Sequence, residues 1–470
     1  MPDTRRTKII ATIGPATNDP ATIEQLIAAG VNITRLNMSH ATHDQVRADV
    51  QSIRAASKKL NKTVGILMDA QGPAIRTGER ATDLNLKPGQ VIALTVRGEQ
   101  SEEYTSVDVN YDDLINDISV GDVVVVDNGT IELKVLKKKR NQLECEVLTE
   151  GVLGSRRHIN LPGVRVNLPA LTDKDIADIE LGIELGVDFI AMSFVREAQD
   201  VQRLRAILDY KKSPQKIVAK IEDQQGVKNI EEIIDVSDGV MIARGDLGIE
   251  VAFEDLPPLQ RKIVKQCVTH GKPVIVATHM LESMIESPSP TRAEVTDVAN
   301  AVFEQADAIM LSGETSIGKY PLPCIDAMDR IARRIERSGG AGFALKAVPG
   351  DIHSKIVRQA ADLSRELNAA AMVVFTRTGR MAHHAAWTRL LKCNMITFTN
   401  NPTLLPQLSL LWGIHPILLD FPNDPNQTVH DAGEHLIKHN LVPQGSTVVF
   451  VTEATIKDKT VDTIQVETLG

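Results

Sequence analysis

Residues 216–246 read KIVAKIEDQQGVKNIEEIIDVSDGVMIARGD: an apolar run closed by Lys220 and Glu222, a helix-like stretch, then a second apolar run closed by Arg244 and Asp246. Two short apolar runs flanking a helical segment form a strand–helix–strand unit, which predicts parallel neighbours in one sheet. Lys220 and Glu222 stand two apart, so on a strand they point to the same face. Asp246 arrives one unit later at the exit of GVMIA, where α/β folds keep their chemistry. The stretch therefore predicts a cation site with a lysine beside it.

The same alternation runs outward in both directions. Upstream lie KIIATIG, the helical DPATIEQLIAAG, VNITRLN, a longer helix and TVGILMDAQG. Downstream of Leu168 and Pro169 come VDFIAMSF, KIVAKIE, GVMIARGD, PVIVATHM and ADAIMLSGET, separated by helical stretches such as KDIADIELGIELG and LQRKIVKQCVTHG. Three strands before an interruption and five after it make the eight of a (β/α)8 TIM barrel, expected over residues 1–72 and 168–338. A doubly wound open sheet is the alternative on pattern alone. The interruption, residues 73–167, is rich in short β-branched runs broken by Gly and Asp (VIALTVRGEQ, GDVVVVDNGT, LECEVLTEGVLG) and reads as an inserted all-β lid domain. Gly339, Gly340 and the following AGFALKAVPGD mark a junction, and residues 345–470 read as a C-terminal α/β regulatory domain. Its strands are AAAMVVFTRTG, NMITFTN, GIHPILL and STVVFVTE.

Composition narrows the partners. The chain has 470 residues, 52 basic against 61 acidic, and a formal charge of −9, with both signs mixed along its length. No basic stripe exists to neutralise a nucleic-acid backbone, so no nucleic acid is expected. Cys145, Cys267, Cys324 and Cys393 are widely spaced and read as reduced thiols rather than zinc ligands or disulfides. No run reaches the roughly 18 apolar residues of a membrane helix, and the start MPDTRRTKIIATIGPAT has no apolar leader core. A cytoplasmic protein with no membrane partner is expected.

Polar residues gather at the predicted strand exits: Arg35, Asn37 and Ser39 after the second, Asp69 after the third, Ser193 after the fourth. Lys220 and Glu222 follow the fifth, Arg244 and Asp246 the sixth, Thr278 the seventh, Ser312 and Glu314 the eighth. Two carboxylates without thiol or histidine pairing favour a hard cation, and Mg²⁺ takes one or two carboxylates plus substrate oxygens and water. Arginines and a lysine beside Mg²⁺ point to a phosphorylated substrate and to phosphoryl transfer. The GxxxxGK[ST] loop is absent, so a nucleotide must be held another way. Competing structural readings are a salt bridge for Arg35, an ion pair with Glu222 for Lys220, ordinary surface or core roles for His40, His43, His158 and His279, and core filling for Met68, Met241 and Met280.

These segments resemble the pyruvate kinase family, in its bacterial layout, over essentially the whole chain. The resemblance rests on TKIIATIGPAT, RLNMSH, MDAQGPAIRTG, GVLGSRRHINLPG, AMSFVRE, KIVAKIED, GVMIARGDLGIE, ATHMLESMIESPSPTRAEVTDVANAV and DAIMLSGET in that order. It implies transfer of the phosphoryl group of phosphoenolpyruvate to ADP, giving pyruvate and ATP as in the last step of glycolysis. It implies that Arg35 binds the phosphate of phosphoenolpyruvate and that Lys220 stabilises the phosphoryl group and the enolate. Glu222 and Asp246 would hold Mg²⁺ (or Mn²⁺), and the amides of Gly245 and Asp246, with the Thr278 hydroxyl, would grip the substrate carboxylate. Thr278 would also help deliver the proton. Asn37, Ser39, Asp69 and the carbonyl of Ala70 match the family's K⁺ site. Asn37, Arg76 and Arg157 would face the nucleotide phosphates, Arg157 from the closing lid. Thr376, Thr378, Gly379 and Arg380 resemble a sugar-phosphate effector loop, and a homotetramer is implied.

The chain departs from the family pattern at Ala70 and Ala74, which leave the K⁺ requirement open, at His279 beside Thr278, at Met381, and at TEATIKDKTVD, read as a glycine-free loop in place of a Gly-rich one. Two other readings remain at this point. A Mg²⁺-dependent barrel lyase acting on a pyruvate enolate would share Glu222 and Asp246 without needing Arg76 or Arg157; a non-catalytic metabolite sensor would need none of the constellation.

Overall fold

The eight expected strands, Lys8–Ile13, Ile33–Asn37, Gly65–Asp69, Phe189–Met192, Lys216–Ile221, Gly239–Ala243, Val274–Ala277 and Ala308–Leu311, close into a parallel barrel in the computed structural model. The structure describes residues 5–347, 350–422, 424–456 and 459–470. Closure excludes the open-sheet alternative, because the eighth strand pairs back onto the first, Ala308 opposite Lys8. The third and fourth strands pair directly, Leu67 opposite Phe189, although the lid lies between them in sequence.

Strand alternation sorts the side chains. Ile10, Ile33, Leu67, Val218, Met241, Ile275 and Met310 fill the barrel interior, while Ile9, Ile66, Ile190, Ile217 and Ile242 face the surrounding helices. The interior is a packed core, and Leu410 of the C-terminal domain joins it from below. Polar side chains therefore collect at the C-terminal strand ends, the only mouth left.

The lid builds its own core on a six-stranded sheet, with Ile92, Leu94, Val124, Leu133 and Leu143 inside it. One short helix, Leu114–Asp117, interrupts the expected all-β texture, because Leu114 and Ile118 turn into that core. Arg196 of the barrel donates to the carbonyls of Val166 (3.0 Å) and Leu168 (2.7 Å), fixing the return of the chain from lid to barrel.

The C-terminal sheet runs Ile414–Leu418, Asn394–Thr399, Ala371–Phe375 and Thr447–Ile456 in parallel, with Lys459–Thr468 antiparallel at the edge. This corrects one expectation. The described parts of TEATIKDKTVD, Thr452–Ile456 and Lys459–Asp462, are not loop: they belong to two antiparallel strands that pair from Thr447 and Thr468 to Ile456 and Lys459. Their β-branched residues favour extended backbone, so the sheet continues where a ligand-wrapping loop was expected. Lys457 and Asp458 lie outside the described residues, as do Val348 and Pro349 of the junction. All four cysteines are buried and unpaired with one another. Among the described residues no helix is long and apolar enough to cross a membrane.

Candidate active site

At the barrel mouth lies an open cavity of about 410 Å³, walled by strand ends on one side and by the lid on the other. Arg35, Asn37, Ser39, Asp69, Ala70, Lys220, Glu222 and Asp246 line it from the barrel. Arg76 and Arg157 face it from the lid. Gly245 and Thr278 stand beside Asp246 at its edge, the Gly245 amide donating to Thr278 Oγ1 at 2.7 Å.

Lys220 is the hub. Lys220 is 8 % exposed; its ammonium forms ion pairs with Asp69 Oδ1 at 3.1 Å and Glu222 Oε1 at 2.8 Å and donates to Ser193 Oγ at 2.7 Å. Two carboxylates and a hydroxyl thus surround the charge. Burial pulls the Lys220 pKa down, but Asp69 and Glu222 outweigh it and hold the group charged well above its ordinary range. Asp69 also takes Arg35 Nε at 2.7 Å, and although burial opposes it, Lys220 and Arg35 keep its carboxyl below the usual range. Lys220 and Arg35 do form ion pairs, and these pairs lie at the cavity wall.

Glu222 is 1 % exposed and accepts the Phe194 amide at 2.6 Å as well as Lys220. Burial pushes its carboxyl up, Lys220 opposes, and the neighbouring Asp246 charge adds to the rise. A carboxylate raised by burial and by a like charge gains most from a cation placed between the two. Among the described residues no three His, Cys, Asp or Glu side chains already form a metal cage. The donor set that fits is two carboxylates, with the remaining positions left to substrate oxygens and water, as Mg²⁺ prefers.

Thr278 and His279 both adopt left-handed backbone, with φ of 66° and 55°. For a β-branched residue this is a strained conformation. Arg244 enforces it: its guanidinium donates to the carbonyls of Ala277 (3.2 Å) and Thr278 (2.5 Å) while pairing with Asp297 at 2.7 Å. Arg244, a strand-end candidate, is therefore a buried brace and not a cavity residue. Glu314 is likewise fully buried, capping the amides of Leu281 (3.0 Å) and Ser312 (2.7 Å).

The effector candidates lie elsewhere, at the turn between Ala371–Phe375 and the helix Arg380–Trp387 of the C-terminal domain. Thr376 is buried there and accepts the Gly379 amide at 2.9 Å. Several cavity residues escaped the sequence reading: Gln71, Asp127, Asn128, Ser155, Arg156 and Phe194; His40 and His158, read as ordinary surface or core histidines, also line the cavity. Asp127 and Asn128 take left-handed turn geometry (φ 55° each), and Asp127 holds Arg157 at 3.3 Å. The Asp-Asn-Gly turn in GDVVVVDNGT was the available signal for them.

The family model described as pyruvate kinase, barrel domain, matches residues 4–325, and that described as pyruvate kinase, alpha/beta domain, matches residues 354–467. The chain belongs to the pyruvate kinase family. It is 42 % identical over 455 residues to the pyruvate kinase of Sporosarcina psychrophila and 40 % identical over 454 residues to that of Geobacillus stearothermophilus, in each case over 95 % of this chain and 77 % of the relative. A crystal structure of pyruvate kinase from Cryptosporidium parvum superposes with a TM-score of 0.93 at 32 % identity, covering 99 % of this chain and 96 % of that one. The enzyme is thus a phosphotransferase of glycolysis, moving the phosphoryl group of phosphoenolpyruvate to ADP to give pyruvate and ATP. The lyase and sensor readings fall away.

Proposed function

We propose that this mouth is the phosphoryl-transfer centre and that the three-way grip on Lys220 is the observation that carries the assignment. A largely buried ammonium between two carboxylates and a hydroxyl, held charged by them, lines a cavity where a phosphoryl group can lie. Arg35 binds the phosphate of phosphoenolpyruvate from the second strand. Lys220 stabilises the moving phosphoryl group and the enolate left behind.

Glu222 and Asp246 are the residues that hold Mg²⁺ or Mn²⁺, which when bound neutralises charge on the substrate oxygens. The Gly245 and Asp246 amides, at the start of the helix Arg244–Glu250, together with the Thr278 hydroxyl, grip the substrate carboxylate. In the structure the Gly245 amide is satisfied by Thr278 Oγ1, so an arriving carboxylate replaces an internal hydrogen bond. Asn37, Arg76 and Arg157 meet the nucleotide phosphates, with Arg157 carried by the lid. Asn37, Ser39, Asp69 and the Ala70 carbonyl form an all-oxygen set suited to K⁺. Thr376, Thr378, Gly379 and Arg380 are the C-terminal candidates for an effector phosphate. We further propose a cytoplasmic homotetramer.

Glu222→Gln tests the metal assignment. Changing an outer partner of a metal ligand typically costs 10–100-fold in affinity, so a direct ligand is expected to cost at least about tenfold. Mg²⁺ titration of phosphoenolpyruvate-dependent ATP synthesis reads this; an unchanged activation constant removes Glu222 from the site.

Thr278 gives a second test. Proton transfer by a positioned group contributes about 10²–10⁴-fold, so Thr278→Ala is expected to lower kcat by at least about 10², with Thr278→Ser within about tenfold of the parent. Equal losses in both variants assign the effect to the strained backbone and not to the hydroxyl.

A further inference from the structure

His158 and Asn160 stand two apart in extended backbone, His158 bridging Arg76 and Asn160 ending the lid strand Ile159–Asn160. Ile159 between them is 2 % exposed and points into the lid core, so the flanking side chains share the opposite face, toward the barrel. The strand is held firmly on its lid side. Ile159 pairs with Val126 and Asn160 with Val125, the Ile159 amide donates to the Ile75 carbonyl at 2.8 Å, and the Asp127 amide donates to the His158 carbonyl at 3.0 Å.

Each of these two residues meets the barrel at an informative place. The His158 ring lies 5.9 Å from the Phe194 ring, tilted by 47°. Phe194 sits in left-handed backbone (φ 54°), and its amide is the group that donates to Glu222 Oε2 at 2.6 Å. The Asn160 amide donates to Glu250 Oε1 at 3.1 Å, both residues being buried. Glu250 ends the short helix whose first turn carries Asp246, and its carbonyl accepts from Gln224, two residues beyond Glu222. One lid face thus ends on the two segments that present Glu222 and Asp246.

We propose that His158 and Asn160 are positioning residues that couple lid closure to the geometry of the metal-holding carboxylates. The inference rests on the reading of Glu222 and Asp246 as cation ligands. A lid swing that breaks His158–Phe194 frees the residue whose amide fixes Glu222. The same swing strips Glu250 of its amide partner, a carboxyl that burial has already pushed up to about 7, and loosens the helix bearing Asp246. Because coupling is reciprocal, a cation that orders the carboxylates also draws the lid shut.

The test uses the full-length enzyme and Mn²⁺ alone as probe, its free concentration followed by electron paramagnetic resonance without nucleotide. His158→Ala and Asn160→Ala are expected to weaken Mn²⁺ binding about fivefold or more, and to lower kcat while leaving KM for ADP within about threefold, the scale of an ordinary coupling energy. Phe194→Leu, which keeps a side chain in place, is expected to reproduce the His158→Ala effect and to be non-additive with it. Unchanged Mn²⁺ affinity in both lid variants, or a rise in KM for ADP alone, overturns the coupling and leaves these residues as plain lid contacts. Failure of the underlying reading is separate: it shows as unchanged Mn²⁺ affinity in Glu222→Gln.

Discussion

Lys220→Ala is expected to lower kcat by at least about 10³-fold while phosphoenolpyruvate and Mn²⁺ still bind. Removing a single neutral oxyanion donor typically costs about 10²–10³ in kcat. Lys220 is a full charge, 8 % exposed, held by ion pairs to Asp69 and Glu222 and a hydrogen bond to Ser193. Its loss takes away the charge that meets the phosphoryl group in flight and the enolate behind it, and low local dielectric makes that charge count for more than it would in water. Ground-state binding is spared for a structural reason. Arg35 reaches the cavity independently, tethered to Asp69 at 2.7 Å and to Thr12 at 3.1 Å. Glu222 keeps the Phe194 amide at 2.6 Å and, freed of its competing ammonium, remains a cation ligand. Calorimetric titration with each ligand, set beside pyruvate formation, separates the cases. Loss of kcat together with loss of both ligands contradicts the assigned role and makes Lys220 a structural pin. Because Asp69 and Glu222 hold the ammonium protonated above its ordinary range, the wild-type pH profile should show no alkaline limb belonging to Lys220 below the usual lysine pKa.

The parts of this enzyme legible in its sequence are those governed by local repetition. Parallel barrel strands are buried on both faces and read as unbroken apolar runs, so KIVAKI and GVMIA stand out, and the polar residue closing each run marks the mouth. The Lys220–Glu222 pair was legible because a two-residue spacing dictates a shared face. What escaped depends on contacts between distant segments. His158 reads as an ordinary histidine until the lid folds over Phe194, and Arg244 reads as a strand-end cation until its guanidinium turns to Asp297 and the Thr278 carbonyl. The strain at Thr278 has no local signal either, since ATHM carries no glycine to announce left-handed backbone. The pairing of Thr447–Ile456 with Lys459–Thr468 was misread for the converse reason: the stretch was read as a glycine-free loop, when the β-branched residues of both strands favour extended pairing.

The floor of the barrel carries the other large effect. Asp307 enters just before the eighth strand and accepts four hydrogen bonds: two from Arg389, at 2.9 and 2.6 Å, one from the Trp412 amide at 3.0 Å and one from the Val274 amide at 3.1 Å. Arg389 also lies 5.3 Å over the Trp412 ring. Arg389 and Trp412 belong to the C-terminal domain, Asp307 and Val274 to the barrel, so this bidentate pair joins the two where Leu410 seats in the barrel core. Both charged residues are buried, and removing one partner of a buried pair costs about 3–5 kcal/mol because the other charge is left without compensation. Arg389→Met keeps most of the stem volume and is expected to destabilise by that amount, read from the midpoint and slope of the first urea transition. Asp307→Asn combined with Arg389→Met should recover part of the loss, since the orphaned charge is then gone; the recovery is partial because the Trp412 and Val274 amides bond separate oxygens of Asp307 and an asparagine keeps an acceptor for only one of them. The lesion lies at the opposite end of the barrel from Lys220, so kcat of the folded variant is expected within about threefold of the parent, as additivity of distant sites requires. A variant that unfolds at the parental urea midpoint would mean that the apolar contacts around Leu410 hold the two domains together without the ion pair.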